Sequence, residues 1–278
     1  MNCYHALAQT IPEFRNLAQA VQKHALPCGA TGLSAVHKAH IISSLCAGLL
    51  RKALVILPDE AAATRMVQDL TAFGTQALLY PARDFAWRSG ETASREYEHR
   101  RLHVLDKMLS GSFDAVVLSA EAAMQFTVPP AVLMNSSVTV DSGEETAPDA
   151  LVSALLRCGY TRSELVSGPG QFAQRGGIID FFPPDAAQPY RVEFWGDTID
   201  SAAPFDPETQ RRGAPCAQVR ITPAREVLAT DEVLTALIEK LIRTHRLKGA
   251  ARETMEADLA MLRDGVRLAS ADKHLPLI

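Results

Sequence analysis

The sequence predicts an α/β protein with a parallel-sheet domain, an inserted and mainly antiparallel α+β domain, and a helical C-terminal region. In the first half of the chain, short apolar strands alternate with helix-length segments, which is typical of a parallel sheet covered on both faces. From residue 163 to about 205, strand patterns follow one another directly, which indicates antiparallel pairing. We place the three regions at 1–137, 138–222 and 223–278.

The first region alternates helix and strand signals. Thr10-Ile-Pro-Glu13 has the form of a capping box and predicts a first helix that ends before Pro27. The next predicted elements are a helix around 33–50, a strand at 53–57, a helix at 59–73, a strand near 78–80, a helix from about 91 to 110 and a strand at 114–118. Asp59 and Glu60 favour a helix start, because their charges suit the positive end of the helix dipole.

Helices are also predicted at the start of the second region and throughout the third. Thr146-Ala-Pro-Asp149 begins a helix on which Leu151, Leu155 and Leu156 share a face. After Pro223, one apolar stripe consists of Val233, Leu234, Leu237, Ile238, Leu241 and Ile242, and Gly249 marks its end. A last helix carries Met255, Leu259 and Leu262 and ends at Gly265. The sequence stops at Leu-Pro-Leu-Ile278 without a polar tail, so we expect it to be cut from a longer protein.

Residues 191–195 alternate with period two and therefore predict a strand with two different faces. Val192 and Phe194 belong to one face, and Arg191, Glu193 and Trp195 to the other. An apolar pair next to a charged set predicts that the first face is buried and that the second is exposed. Trp195 would then lie outside, among charges.

Gly196-Asp197 follows this strand and suits a two-residue hairpin turn, because glycine accepts positive φ. Such a turn pairs Trp195 with Thr198, Phe194 with Ile199 and Glu193 with Asp200. Two interpretations of the exposed face remain open at this point. The indole lies flat on its own sheet under a stacked arginine, or it is the anchor of a protein interface.

Composition excludes several classes of protein. The chain has 47% hydrophobic residues and a formal net charge of −4, so it is globular and carries no chain-wide basic field for gripping nucleic acid. We expect only weak, lesion-independent binding to duplex DNA. No apolar stretch approaches the roughly 18 residues of a membrane span, so we expect no membrane partner.

The five cysteines are Cys3, Cys28, Cys46, Cys158 and Cys216. Their odd number and scattered spacing argue against a zinc site or a disulfide framework and favour a reducing cytoplasm. His99 and His103 have the spacing of two ligands on one helical face, but neighbouring charges make a solvated helix face the better interpretation. No metal site is expected.

A long motif links residues 170–210 to known proteins. Gly-x-Phe-x-x-Arg-Gly-Gly-Ile-Ile-Asp-Phe-Phe-Pro is followed by Arg-Val-Glu-Phe-Trp-Gly-Asp-x-Ile-Asp-Ser and by Phe-Asp-Pro-Glu-Thr-Gln. This pattern resembles the segment that the excision-repair protein UvrB shares with the bacterial transcription-repair coupling factors. The resemblance covers nearly all of the chain and is strongest from 160 to 212.

The resemblance to the coupling factors implies a UvrB-like module whose domain at 138–222 binds UvrA. By residue-to-residue match, Arg175, Arg191 and Trp195 contact UvrA, although the family usually has phenylalanine at the tryptophan position. Phe172, Glu193 and Asp197 are further candidates. In that family the full-length protein is an ATP-dependent DNA translocase that displaces lesion-stalled RNA polymerase and recruits UvrA. Polymerase, duplex DNA, ATP and magnesium would bind parts of the protein outside this chain.

A degenerate phosphate loop favours the coupling factors over UvrB. In UvrB the segment similar to 28–36 is an intact Walker A motif that opens a helix of the α/β domain. Here the loop residues are Gly29, Thr31, Gly32, Ser34, Ala35 and Val36. Ala35 and Val36 occupy the positions of the phosphate-binding lysine and of the magnesium-binding hydroxyl, so neither function is available. We therefore expect no cofactor and no catalysis in this chain.

The stretch from Val116 to Thr139 is also too short and too poor in tyrosine for the aromatic hairpin with which UvrB clamps damaged DNA. Two alternatives to a docking module stay open: a fragment of a UvrB-type ATPase, and a module that makes contacts only within its own full-length protein.

Overall fold

A computed structural model describes residues 3–25, 27–83, 95–244, 248–266, 268, 271, 273 and 274. The chain forms two compact units, Met1–Arg83 with Val104–Gln125 and Asp84–His103 with Phe126–Ile278. No helix in the described part of the chain is long and apolar enough to cross a membrane.

The first unit is an α/β unit with a three-stranded parallel sheet. Its elements in chain order are α1 (Cys3–Ala8), α2 (Pro12–Gln22), α3 (Ala35–Leu49), β1 (Ala53–Leu57), α4 (Glu60–Ala72), β2 (Ala77–Tyr80), the second half of α5 (Glu96–Ser110), β3 (Ala115–Ser119) and α6 (Ala120–Ala123). The strand order is β1-β3-β2, and both pairings are parallel. The predicted parallel sheet is confirmed.

β3 is the central strand, and all of its residues are buried. On one face, Val117 packs with residues of α3 and α4, including Ala39 and Met66. On the other face, Val116 packs with Val104 of α5. The continuous apolar run in β3 therefore reflects burial on both sides, as parallel sheets require.

Of the two helix starts predicted in this unit from capping residues, one is confirmed and the other is wrong. Asp59 is the N-cap of α4, and its carboxylate accepts a hydrogen bond from the backbone N–H of Ala62 at 2.7 Å, as its position predicted. The prediction of a capping box at Thr10 is wrong. α2 begins after Ile11, and the Thr10 hydroxyl donates to the carbonyl of Leu7 at 2.7 Å, because the preceding helix α1 offers that acceptor.

The second unit contains the predicted antiparallel sheet. Its elements are the first half of α5, then α7 (Pro130–Ser136), β4 (Val138–Asp141), α8 (Pro148–Arg157), β5 (Thr161–Arg162), β6 (Gln171–Arg175), β7 (Ile178–Phe181), β8 (Tyr190–Trp195), β9 (Thr198–Pro204), β10 (Gln218–Ile221), α9 (Asp231–Thr244) and α10 (Ala250–Arg263). The five-stranded sheet has the order β5-β6-β7-β8-β9, and only the β5–β6 pair is parallel.

One face of this sheet packs against α8. The core there includes Phe172, Phe181 and Val192 from the strands, and Leu151 and Leu155 from the helix. Leu156 was expected on the same helix face, but it is 41% exposed, because only the Leu151–Leu155 side of α8 is turned toward the sheet. β4 pairs with β10, so the two ends of the predicted domain at 138–222 lie side by side.

The last two helices pack against each other through Leu234, Ile238, Leu259 and Leu262. Val233 was expected in the same apolar stripe but is 52% exposed, because the buried stripe of α9 is narrower than predicted. Gly249 lies at the N-cap of α10 instead of stopping α9. The helical character of the third region is confirmed.

The first half of α5 is only in part the solvated helix face that its charges predicted, since Glu96 and Arg100 are exposed but Arg101 is buried. Arg101 donates through Nε to Glu226 Oε1 at 2.6 Å, and both side chains are fully buried. Burial, with repulsion from Arg95, lowers the pKa of the neighbouring His99 to about 4. Among the described residues, no group of three or more side chains could hold a metal ion. Residues 91–94 of the predicted helix lie outside the described residues.

Arg101→Ala is expected to destabilise the chain by about 3–5 kcal/mol, because it removes a buried guanidinium that pairs with the buried carboxylate of Glu226. Denaturant unfolding monitored by circular dichroism measures the loss. Arg100→Ala is the matched control, since Arg100 is an exposed neighbour that pairs with Glu96 on the helix surface. That change should cost no more than about 0.5 kcal/mol. Equal losses in the two variants would contradict the assignment.

Candidate protein-binding face

The face of the five-stranded sheet opposite α8 carries a set of charged and apolar side chains that we call the Arg–Trp face. Its members are Arg175 from β6, Ile178 and Asp180 from β7, and Arg191, Glu193 and Trp195 from β8. They share this face because their strand neighbours, including Ile179 and Val192, lie in the core on the other side. The predicted split of β8 into two faces is confirmed, but of the three residues expected to be exposed only Trp195 is fully so, and Arg191 is mostly covered.

The hairpin that ends β8 agrees with the prediction except at one position. Trp195 pairs with Thr198 and Phe194 pairs with Ile199. Glu193 pairs with Ser201 instead of Asp200, because the register shifts at a β-bulge between these pairs. The shift places the Ser201 hydroxyl 3.2 Å from Glu193 Oε2, to which it donates a hydrogen bond.

Gly176-Gly177 links β6, which carries Arg175 of the Arg–Trp face, to β7. The carbonyl of Gly177 accepts a hydrogen bond from the backbone N–H of Phe194 at 2.8 Å. A Cβ atom at Gly177 would lie 3.1 Å from the Phe194 carbonyl oxygen, which is too close for an unshifted backbone. This glycine therefore permits a close backbone approach.

The carboxylate of Asp180 joins the two arginines. Arg191 donates through Nε to Oδ1 at 2.7 Å and through Nη2 to Oδ2 at 2.9 Å, and Arg175 donates to Oδ2 at 2.9 Å. The Asp180 side chain is 3% exposed, against 14% for Arg191 and 48% for Arg175. The hydrogen bond to Asp180 is the main cause that raises the pKa of Arg191. Two guanidinium groups on one carboxylate leave an excess of positive charge.

Arg191 is held from two further directions. Its guanidinium lies over the ring of Phe205, 4.6 Å from the centroid, and its Nη2 donates to Gln210 Oε1 at 2.9 Å. The aromatic partner of Arg191 is thus Phe205 and not Trp195.

Trp195 is 84% exposed. The ring and cation–π contacts of the described residues do not include its indole. The interpretation in which an arginine covers a flattened Trp195 is therefore wrong. A large aromatic side chain without cover on a rigid strand is typical of an interaction surface.

Glu193 belongs to a second charged pair. Arg212 donates through Nη1 to Glu193 Oε2 at 3.1 Å, and each side chain is about one-third exposed. The pair is neutral as a whole, so the excess positive charge of the face lies at Arg175 and Arg191. Asp197, in the exposed hairpin turn, accepts a hydrogen bond from the backbone N–H of Thr146 through its carbonyl at 2.7 Å.

Phe172 does not belong to the Arg–Trp face. It is fully buried and pairs with Phe181 in the core, so the expectation that its side chain contacts a partner is wrong. The physical reason is strand parity, because Arg175 is three residues away on β6 and therefore points to the opposite face. Asp180 carries a signal that sequence reasoning missed, since an aspartate inside an apolar strand requires charged neighbours.

The degenerate loop lies in a setting that differs from the expected one. Residues 27–34 are irregular, Ser34 is the N-cap of α3, and the helix starts at Ala35. A phosphate loop directly follows a strand, whereas the described residues before this loop form α1 and α2, and β1 comes only after α3. The loop opens a helix as expected, but no strand precedes it among the described residues.

Comparison with known proteins places the Arg–Trp face within a known domain. Residues 138–227 match the UvrB interaction domain family. The chain is 34% identical over 210 residues to a protein of Myxococcus xanthus named transcription-repair-coupling factor, which covers 72% of this chain. It is 30% identical over 212 residues, or 76% of this chain, to the protein of the same name from Bacillus subtilis (strain 168).

The chain is homologous to the transcription-repair coupling factors. It spans 18% of the length of the two relatives, so it corresponds to a small part of a coupling factor. The part of the chain that matches the UvrB interaction domain runs from β4 to just beyond β10 and contains the whole five-stranded sheet. The predicted boundaries of the three regions remain predictions.

Asp180→Ala is expected to destabilise the chain by about 1.5–3 kcal/mol, because the poorly exposed Arg191 then loses its carboxylate acceptor. Thermal and urea unfolding measure this loss. Trp195→Ala, on the same face, should change stability by no more than about 0.5 kcal/mol, since an exposed side chain contributes little to folding. A stable Asp180→Ala variant would show that the arginine cluster does not depend on this carboxylate.

Proposed function

We propose that this chain is the UvrA-docking module of a transcription-repair coupling factor. The observation that carries the proposal is the exposure of Trp195 on the same sheet face as the half-exposed Arg175, within the UvrB interaction domain. Trp and Arg are the residues most enriched at the energetic centres of protein interfaces. A docking module needs such a face, and it needs no catalytic group.

The side chains of the face have different exposures and therefore different roles in this proposal. Trp195 offers a large apolar surface that a partner pocket can enclose. Arg175 is half-exposed and makes one hydrogen bond to Asp180, so donors remain for a carboxylate of the partner. Arg191 is mostly covered and supports the face from within, and Glu193 and Asp197 lie at its rim.

In the full-length protein, this module recruits UvrA to lesion-stalled RNA polymerase for transcription-coupled nucleotide excision repair in the cytoplasm. The full-length protein is an ATP-dependent DNA translocase that displaces the polymerase. RNA polymerase, duplex DNA, ATP and magnesium bind parts of it outside this chain, which is itself non-catalytic. The homology to the coupling factors supports this proposal.

Trp195→Ala is expected to weaken binding of purified UvrA about thirtyfold, because loss of an interface anchor commonly costs about 2 kcal/mol. Arg175→Ala should also weaken binding, by about tenfold, through loss of a charged contact. Both variants should keep the wild-type melting temperature. Calorimetric titration of UvrA and thermal melts of the same samples measure the two properties.

Two controls accompany these variants. Leu156→Ala removes an exposed apolar side chain from α8, on the other side of the sheet, and should leave UvrA binding unchanged. Phe194→Ala should lower the melting temperature, because Phe194 packs against the core. If wild-type chain does not bind UvrA, or if Trp195→Ala binds as tightly as wild type, the face serves contacts within the full-length protein or has no docking role.

The chain should neither bind nor hydrolyse ATP at millimolar nucleotide with magnesium, because Ala35 and Val36 replace the charged and metal-binding members of the loop. Ala35→Lys alone should create no activity, since Val36 still occupies the position of the magnesium-binding hydroxyl. Calorimetry and a phosphate-release assay test both statements. Micromolar ATP affinity in the wild-type chain would favour the UvrB-type ATPase.

A further inference from the structure

The segment after β9 forms a closed turn beside the Arg–Trp face. Asp206 Oδ1 accepts hydrogen bonds from the backbone N–H groups of Thr209 at 2.8 Å and Glu208 at 2.9 Å, which lower the pKa of Asp206. The backbone N–H of Gln210 donates to the Asp206 carbonyl at 2.8 Å, and that of Asp206 donates to the Arg211 carbonyl at 2.9 Å. These bonds determine where Gln210 lies.

Gln210 adopts a left-handed conformation with φ of 60°, although it is not a glycine. Such a conformation costs free energy and persists only where the surrounding structure imposes it. Leu50, which has a similar φ, is the C-cap of α3, where a left-handed residue is common. Gln210 ends no helix, but it closes the turn that begins at Asp206, where a left-handed residue is common.

The side chain of Gln210 distinguishes it from an ordinary turn residue, because both ends of its amide are engaged. Nε2 donates to the Pro207 carbonyl at 2.8 Å, which orients the amide. Oε1 then accepts from Arg191 Nη2 at 2.9 Å. Since Asp180 and Phe205 contact the same guanidinium, Arg191 is fixed from three directions.

We propose that Gln210 is a positioning residue of the Arg–Trp face, acting through Arg191. It removes the freedom of the Arg191 side chain before a partner arrives, so that less conformational entropy is lost on binding. A fixed Arg191 also keeps Asp180 in place as the acceptor for Arg175. This inference rests on the proposed UvrA-docking function.

The test uses two substitutions that keep the left-handed backbone. Asn tolerates this conformation better than most residues and carries an amide one methylene shorter, and Gly adopts it freely. Gln210→Asn and Gln210→Gly should each weaken binding of purified UvrA about three- to tenfold, the cost of one unfixed side chain. Their melting temperatures should stay within a few degrees of wild type.

Three further variants make the result specific. Leu50→Gly relieves the same kind of backbone strain in the first unit and should not change UvrA binding. Arg191→Lys removes the planar fork that Gln210 holds, so Gln210→Asn should weaken binding no further in that background. Trp195→Ala reports on the docking function itself.

The outcomes separate the two proposals. If Trp195→Ala weakens binding and the Gln210 variants bind as wild type, the positioning role is overturned and the docking function stands. If Trp195→Ala and the Gln210 variants all bind as wild type, the docking function fails and the positioning role falls with it. Full additivity with Arg191→Lys, weakening by Leu50→Gly, or a melting loss as large as that of Asp180→Ala would each overturn the positioning role.

Discussion

The buried carboxylate of Asp180 is the interaction on which the outer face of the five-stranded sheet depends. A carboxylate that is 3% exposed requires compensating charge and hydrogen bonds, and Arg175 and Arg191 provide both. Arg191 in turn requires the carboxylate of Asp180, because its guanidinium is mostly covered. One strand position therefore determines where two guanidinium groups from the neighbouring strands lie.

This arrangement leaves the face with a rigid base and an uncovered aromatic side chain. Because Arg191 is occupied by Asp180, Phe205 and Gln210, it does not cover Trp195, whose indole stays exposed. The sheet carries α8 on its inner side, so the backbone beneath Trp195 is supported by a packed core. A preordered aromatic and arginine surface suits protein recognition, where ordering on binding would otherwise reduce affinity.

The loop before α3 in the first unit forms a helix start without the side chains of a phosphate loop. Ser34 still caps α3, and the glycines still allow an irregular loop before the helix. Ala35 and Val36 offer no charge and no hydroxyl, and the element before the loop is a helix. The parallel sheet of this unit depends on the packing around β3 and not on the loop. The local structure at the loop is therefore explained without a bound nucleotide.

The sequence by itself determined the alternation of helices and strands from α3 to β3 and the two faces of β8, because both follow from local periodicity. It also predicted the hairpin at Gly196-Asp197, since turn chemistry is local. Only the tertiary structure decided that Phe172 is buried, that Asp180 joins the two arginines and that Gln210 reaches Arg191. It likewise decided that Arg101 is buried against Glu226, 125 residues away. Pairing across distant segments is set by strand register and packing, and no local pattern of residues encodes it.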